Sequence, residues 1–401
     1  MSEVHASAYL APMQNGTQPK LAPLVLATMA SQALLVALSP TIVSIAGDLR
    51  TSVGAVGQAR SVAAGIAIVA SLAIVARVDS LGVRRLLGVG SVLGTIACAA
   101  VAFAPTLAVF LAAHVLVGLA FACLLSAGFA GVAAFGTERR PWAIGWVAGA
   151  NALAWIVVNP IVGVLTEWLS WRAAQVVPAG IAVAALLASP AAALAPSQPA
   201  APLAVLLGER SARRWLGAEV IAYAAWTALL TFAGAFFIER LGVPEAATGW
   251  LLATGAAAHL AGATKSGPLV SRVPRRRLVA GSALTMAILV FVLLGLTSAA
   301  PAAVATFCAL ALAAGIRSPA SSGLGLEQLP GHPGAMMAAR TAATQLGYLL
   351  GAIVGGAVIS RGGYGTLGIV LALSMASSAV LILRVDDGRT MPRKVLGRPH
   401  S

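Results

Sequence analysis

The chain has 401 residues, of which 59% are hydrophobic and only 9% charged, with a mean hydropathy of +0.91. Soluble domains carry roughly 25% charged residues, so a soluble enzyme or binding module is excluded and a polytopic membrane protein is expected. The formal charge of +14 would suggest nucleic acid in a soluble chain, but its placement along this one argues for membrane topology and against a nucleic-acid partner.

Residues 1–21 are polar and mixed. They lack the basic start and short apolar core of a cleaved signal peptide, so they read as a tail. Twelve apolar runs follow, at about 22–46, 54–76, 86–104, 106–128, 143–168, 173–194, 215–238, 247–270, 278–298, 301–323, 334–360 and 363–383. Each approaches or exceeds the roughly 20 residues that cross a bilayer core of about 30 Å as a helix. So many long runs point to helices and not to a barrel, whose strands alternate apolar and polar over about ten residues. The expected fold is therefore an all-α polytopic bundle of twelve transmembrane helices. The stretch 195–214, first rich in Pro, Ala and Ser and then basic, divides it into a six-helix half at 22–194 and another at 215–383. Residues 384–401 form a second tail.

Of the 26 Lys and Arg, 18 fall on alternate loops and tails, whereas the opposite loops hold Arg50, Arg172, Arg240 and Arg361. By the positive-inside rule both termini should be cytoplasmic, which for a bacterial cell means a multi-pass protein of the inner membrane. Cys98, Cys123 and Cys308 lie in apolar runs at no metal-ligand spacing and read as small hydrophobes. No metal site or cofactor is expected.

The halves repeat at an offset of 192 residues. Asp79-Ser80-Leu81-Gly82-Val83-Arg84-Arg85-Leu86 falls on Ser271-Arg272-Val273-Pro274-Arg275-Arg276-Arg277-Leu278, Asn159-Pro160-Ile161-Val162-Gly163 on Gly351-Ala352-Ile353-Val354-Gly355, and Pro141 on Pro333. Two six-helix halves of one orientation imply a pseudo-twofold axis along the membrane normal, with a cavity between them near mid-depth.

On these features the chain resembles the major facilitator superfamily over essentially its whole length. The loop after the second run is similar to that family's signature, an Asp followed three residues later by Gly and then a basic pair. Ser170-Trp171-Arg172, Arg317-Ser318-Pro319-Ala320, Gln345-Leu346-Gly347 and Gly355-Gly356 also resemble the family. Within the family the chain resembles the branch of bacterial arabinose-efflux and multidrug-efflux proton antiporters. The resemblance implies alternating access. Asp79, Gly82, Arg84 and Arg85 would act as a cytoplasmic latch, although basic residues there also set topology. The copy departs from the family pattern at Val75, Arg77 and Val83, and the second copy lacks both the acid and the Gly.

His114 stands in the fourth run where the family usually has an arginine tied to proton coupling. Imidazole titrates near neutral pH, which arginine does not; the alternative is a neutral His bonded inside the bundle. In the fifth run Pro160 and Gly163 keep part of an exporter element and mark a helix bend, with Asn151 and Asn159 beside them, either facing the cavity or packed. Ionisable groups within spans are rare and face the bundle interior. Glu219 is the leading acid for proton carriage, or a partner of Arg213 or Lys265. His259 should sit near mid-depth in the eighth run. Lys265, Arg317 and Arg340 are either cytoplasmic gate partners or snorkelling side chains. Gln32, Arg60, Tyr223, Trp226, Thr227, Gln345 and Tyr348 fall on runs that line the cavity in the family, and an aromatic wall with a few amides suits a small organic substrate.

No Walker loop, His-Glu-x-x-His, Gly-x-Ser-x-Gly elbow or cysteine pair is present, so no enzyme or nucleotide-driven pump is expected. The expected function is secondary active transport, as proton-coupled efflux of a small organic molecule (a drug-like compound, sugar or metabolite) by a monomer in the bilayer. A uniporter or importer is the alternative, and a non-transporting receptor or membrane enzyme a remote one.

Overall fold

The computed structural model describes residues 19–75, 78–136, 138–192, 208–329 and 333–386; the side chains of 72, 75, 78–81, 141, 333–335 and 338 lie outside that description. Nearly all of the described chain is helical. Helix α1 runs Ala22–Val36 and resumes as Leu38–Asp48. Pro40 has no N–H to give the Val36 carbonyl four residues earlier, and the helix breaks at Ala37. Then come α2 (Val53–Val75), α3 (Val78–Ala102), α4 (Leu107–Ala130), α5 (Arg140–Trp168) and α6 (Val176–Ala188). The second half holds α7 (Arg210–Ala235), α8 (Glu245–Arg272), α9 (Arg275–Phe291) and α10 (Ala300–Gln328). Pro333–Leu383 is broken at Gly363 (φ 68°) into α11 and α12. Gly82 (φ 69°) makes a similar break near the start of α3; both need left-handed backbone, which glycine adopts without steric penalty.

Ten helices among the described residues are long and apolar enough to cross a membrane, with α11 and α12 counted together as one. Helix α8, at 28 residues and richer in Thr, Gly and charge, is also long enough and completes the twelve. Helix α7 starts at Arg210, where the Glu209 side chain caps it by accepting from Ser211 N at 3.3 Å. The end of the expected linker, 210–214, is therefore helix. The tails lie largely outside the described residues.

The packing obeys the internal repeat. In the first half α1 packs on α5, α2 on α4, and α3 on α4 and α6; in the second, α7 packs on α11, α8 on α10, and α9 on α10 and α12. Between the halves α2 meets α11 and α5 meets α8, contacts that the same twofold exchanges.

The chain enters α1 and leaves α12 on one face of the bundle, here the termini face. The halves are tied together on the opposite face. Ser39 Oγ accepts from Gly234 N at 3.3 Å, Gln58 Nε2 donates to Ala352 O at 3.1 Å, the Ser44 hydroxyl donates to Glu245, and Glu167 Oε2 accepts from Ala246 N at 2.8 Å at the start of α8. Glycines let the backbones touch here. A Cβ on Gly163 would stand 2.6 Å from Glu245 O, and one on Gly249 would stand 3.1 Å from the Pro160 Cα. On the other side of the axis the Phe232 ring of α7 lies against both Gly57 and Gly355.

Candidate solute-binding site

Glu219 is fully buried in α7, nine residues into the helix. Its Oε1 accepts from Arg317 Nη2 at 2.6 Å and from Ser321 Oγ at 3.0 Å, and its Oε2 accepts from Arg340 Nε at 3.0 Å. Hydroxyls complete the cluster. Ser321 also accepts from Trp215 Nε1 at 3.1 Å, and Ser378 on α12 lies 3.5 Å from Arg317 Nη2 while donating to Ala218 O. Removing one partner from such a pair costs about 3–5 kcal/mol, because the other charge stays buried. Three helices of the second half, α7, α10 and α11, thus meet at one carboxylate, and Ser378 joins α12 to it through Arg317. The sequence left Arg213 and Lys265 open as its partners; the structure gives it Arg317 and Arg340 instead, and leaves Lys265 exposed. Neither arginine reaches across to the first half through Glu219, and both are drawn inward from the surface.

From this cluster a line of contacts runs to the seam. Arg340 Nη2 donates to Tyr223 Oη at 2.9 Å and its guanidinium lies 5.5 Å from the Tyr223 ring centroid. Tyr223 meets Tyr348 edge-on, with centroids 6.0 Å apart. Tyr348, on α11, faces Arg60 of α2, whose guanidinium carbon is 5.7 Å from the Tyr348 centroid and 5.8 Å from that of Trp155 on α5. Arg60 is 4% exposed. Its Nη1 donates to Leu35 O at 3.3 Å beside the break in α1, and its Nε has no partner. No ion pair to Arg60 is present among the described residues.

The other expected cavity residues divide. Trp226 and His259 stack with centroids 5.9 Å apart and are half-buried. Gln345 is buried with its Oε1 unpartnered, and Asn151 is half-buried with its Oδ1 unpartnered. Gln32 is half-buried on α1, whereas Thr227 is fully buried. Asn159 Nδ2 donates to Trp155 O at 2.8 Å, and its backbone oxygen faces Gly249. Asn159, Pro160 and Gly163 therefore sit at the α5–α8 crossing, where the bare backbones of Gly163 and Gly249 let the halves approach.

His114 is placed apart from the seam. It is buried in the first half, its Nδ1–H donating to Phe110 O at 2.8 Å and its ring against Phe110. Its neighbours Leu34, Leu38, Cys98 and Gln175 come from α1, α3 and the turn before α6. At the signature loop Arg84 and Arg85 are exposed, and Arg84 Nη2 reaches Ala192 O at 3.4 Å. The Asp79 side chain lies outside the described residues.

Sequence reasoning missed Trp155, the hydroxyls of Ser321 and Ser378, and the ties on the opposite face. Trp155 was findable, being an aromatic four residues from both Asn151 and Asn159 and so on their helix face. Asp48, which accepts from Trp171 Nε1 at 3.0 Å and Arg172 at 2.7 Å, pairs with residues 123 or more positions away, beyond any local pattern.

A multi-pass helical membrane protein of two related halves, with a polar and aromatic layer between them, is the class this architecture defines. Residues 24–237 and 215–399 match the family model described as Major Facilitator Superfamily, and the chain belongs to that family, whose members are transporters of small solutes. It is similar to the purine ribonucleoside efflux pump NepI of Escherichia coli O127:H6 (strain E2348/69 / EPEC), 31% identical over 134 residues. That match spans 32% of this chain and 33% of the relative. Among solved structures, a D-xylose-proton symporter superposes with a TM-score of 0.74 at 14% identity, covering 92% of this chain and 98% of the other. The nucleoside transporter NupG superposes with a TM-score of 0.73 at 13% identity, covering 91% and 98%.

Proposed function

We propose that the protein exports a small polar organic solute of nucleoside type by alternating access, in exchange for protons. The observation that carries this reading is the mid-depth layer at the seam, where Arg60 of one half meets Tyr348 of the other and carries an unpartnered donor. The ties on the opposite face support a conformation shut on that side. On this reading the termini face, which carries the basic loops, is cytoplasmic, both tails lie inside, and the protein works as a monomer in the inner membrane, taking solute from that side. The partial likeness to an efflux pump for purine ribonucleosides and the Pro160–Gly163 element favour export.

Protons would act where charge crosses helices. Protonating Glu219 removes the negative charge that holds Arg317 and Arg340 and frees Arg340, already bonded to Tyr223, to shift toward the seam. His259, stacked on Trp226, is the second candidate. Solute and proton then each favour a different state, and coupling follows from that difference. The Asp79 loop would latch the termini face in the reverse state.

One observation favours a second reading, facilitated diffusion: both Glu219 oxygens are engaged. Accumulation of radiolabelled purine ribonucleosides in inside-out vesicles decides between them. Uptake that collapses on adding a protonophore is the expected result. Equilibration indifferent to the gradient would make the protein a uniporter, and no movement of any nucleoside would remove the substrate class.

A further inference from the structure

Arg60 has a charge to satisfy and nothing in the described protein that satisfies it. It is 4% exposed, on α2, with one nitrogen on the Leu35 carbonyl and Nε free. A buried ion without a counter-charge is strongly disfavoured, and a charge at membrane depth marks a substrate or ion pathway by default. Two rings brace the guanidinium, Trp155 from its own half and Tyr348 from the other. Such bracing fixes the plane of a planar group and hence the direction of its unoccupied edge.

The neighbouring turns carry the complement. Asn151 precedes Trp155 by four residues on α5, and Gln345 precedes Tyr348 by three on α11, so each amide lies one turn nearer the termini face than its ring. Both have an unpartnered side-chain oxygen, an acceptor without a donor.

We propose that Arg60 is the residue that selects the solute, docking a planar pair of hydrogen-bond acceptors on its free edge, while N–H or O–H donors at the solute's other end meet Asn151 and Gln345. The acceptor pair has two chemical sources, the O6/N7 edge of a purine, which arginine reads bidentately, and a carboxylate. This assignment rests on the transport reading above and adds to it the identity of the recognised group.

Two solute pairs separate the sources: inosine against 7-deazainosine, which lacks N7, and glucuronate against glucose, which lacks the carboxylate. Each is measured by counterflow into proteoliposomes of the full chain. In at least one pair the unmodified protein should prefer the acceptor-bearing member by about tenfold. Arg60→Lys keeps the charge but loses the fork and should bring that ratio close to one. Trp155→Leu, which removes one brace and leaves Arg60 in place, should lower the same ratio and serves if Arg60→Lys does not fold. A ratio unchanged in the variants, or no preference in either pair by a protein that does move these solutes, overturns the assignment. If none of the four moves, the transport reading fails for these solutes and the Arg60 assignment falls with it.

Discussion

Arg317 and Glu219 meet at 2.6 Å with side chains 5% and 0% exposed, a charge pair shut inside the second half. All three partners of that carboxylate, Arg317, Ser321 and Arg340, sit on helices α10 and α11, so one acid in α7 organises the packing of its half.

Glu219→Gln should therefore lower thermal stability sharply, by about 3–5 kcal/mol, because two guanidiniums lose their counter-charge. Arg317→Met should cost less, since Arg340 still pairs with Glu219. Combined, the two should be sub-additive by more than about 1 kcal/mol, as expected for partners in one network. Thermal unfolding of purified protein followed by tryptophan emission measures all three; strict additivity would deny the pairing.

Gly249→Leu should open the opposite face. Its side chain would collide with the Asn159–Pro160 backbone, which cannot retreat within a packed helix. A cysteine placed at Ser39, 1% exposed and bonded to Gly234 N across the seam, should then react several-fold faster with a membrane-impermeant maleimide than the same cysteine beside Gly249. Unchanged labelling would mean that this crossing does not hold the face shut.

Glu167→Ala removes the carboxylate that accepts from Ala246 N at the start of α8. Losing a helix-terminal cap of this kind costs about 1 kcal/mol, here only in the conformation that brings α5 and α8 together. The population shut on the opposite face should fall about fivefold relative to the alternative, read from the same labelling rate. Equal labelling with and without Glu167 would reduce this contact to a surface bond.

His114→Gln should reduce stability by about 1 kcal/mol through its bond to Phe110 O and leave the pH profile of transport unchanged, because His114 lies away from the seam. By contrast Asp79→Asn should abolish transport with insertion intact, if the signature loop latches as the family resemblance implies. Vesicle transport across a pH series tests both; a displaced pH profile in His114→Gln would restore it as a coupling residue.

The architecture was legible because bilayer crossing imposes a length that apolar runs either meet or fail, and because the repeat preserved its offset. The break at Gly363 falls where one apolar run was expected to give way to the next, whereas 22–46 reads as a single run and does not announce the break before Pro40. The site was legible only as an inventory. Arg60, Tyr348, Glu219, Arg317 and Arg340 stood out as polar groups in apolar helices, yet which cation takes Glu219 and which stays single depends on how α2, α7, α10 and α11 are rotated about their axes. Side-chain spacing along one helix carries no information about that rotation. His114 illustrates the same limit: its place along α4 was readable, and the side of α4 that faces the seam was not.

The pseudo-twofold relates the Gly163–Gly249 meeting to the one between Gly355 and Gly57, but the two are not equivalent. Helices α5 and α8 touch there through bare backbone, whereas a phenyl ring from α7 occupies the matching place on the other side. Separating the first pair strips away little apolar surface; separating the second withdraws Phe232, 2% exposed, from a fitted socket. A motion that parts the halves should thus begin as a lopsided roll, lifting along α5 and α8 while the ring acts as the axle.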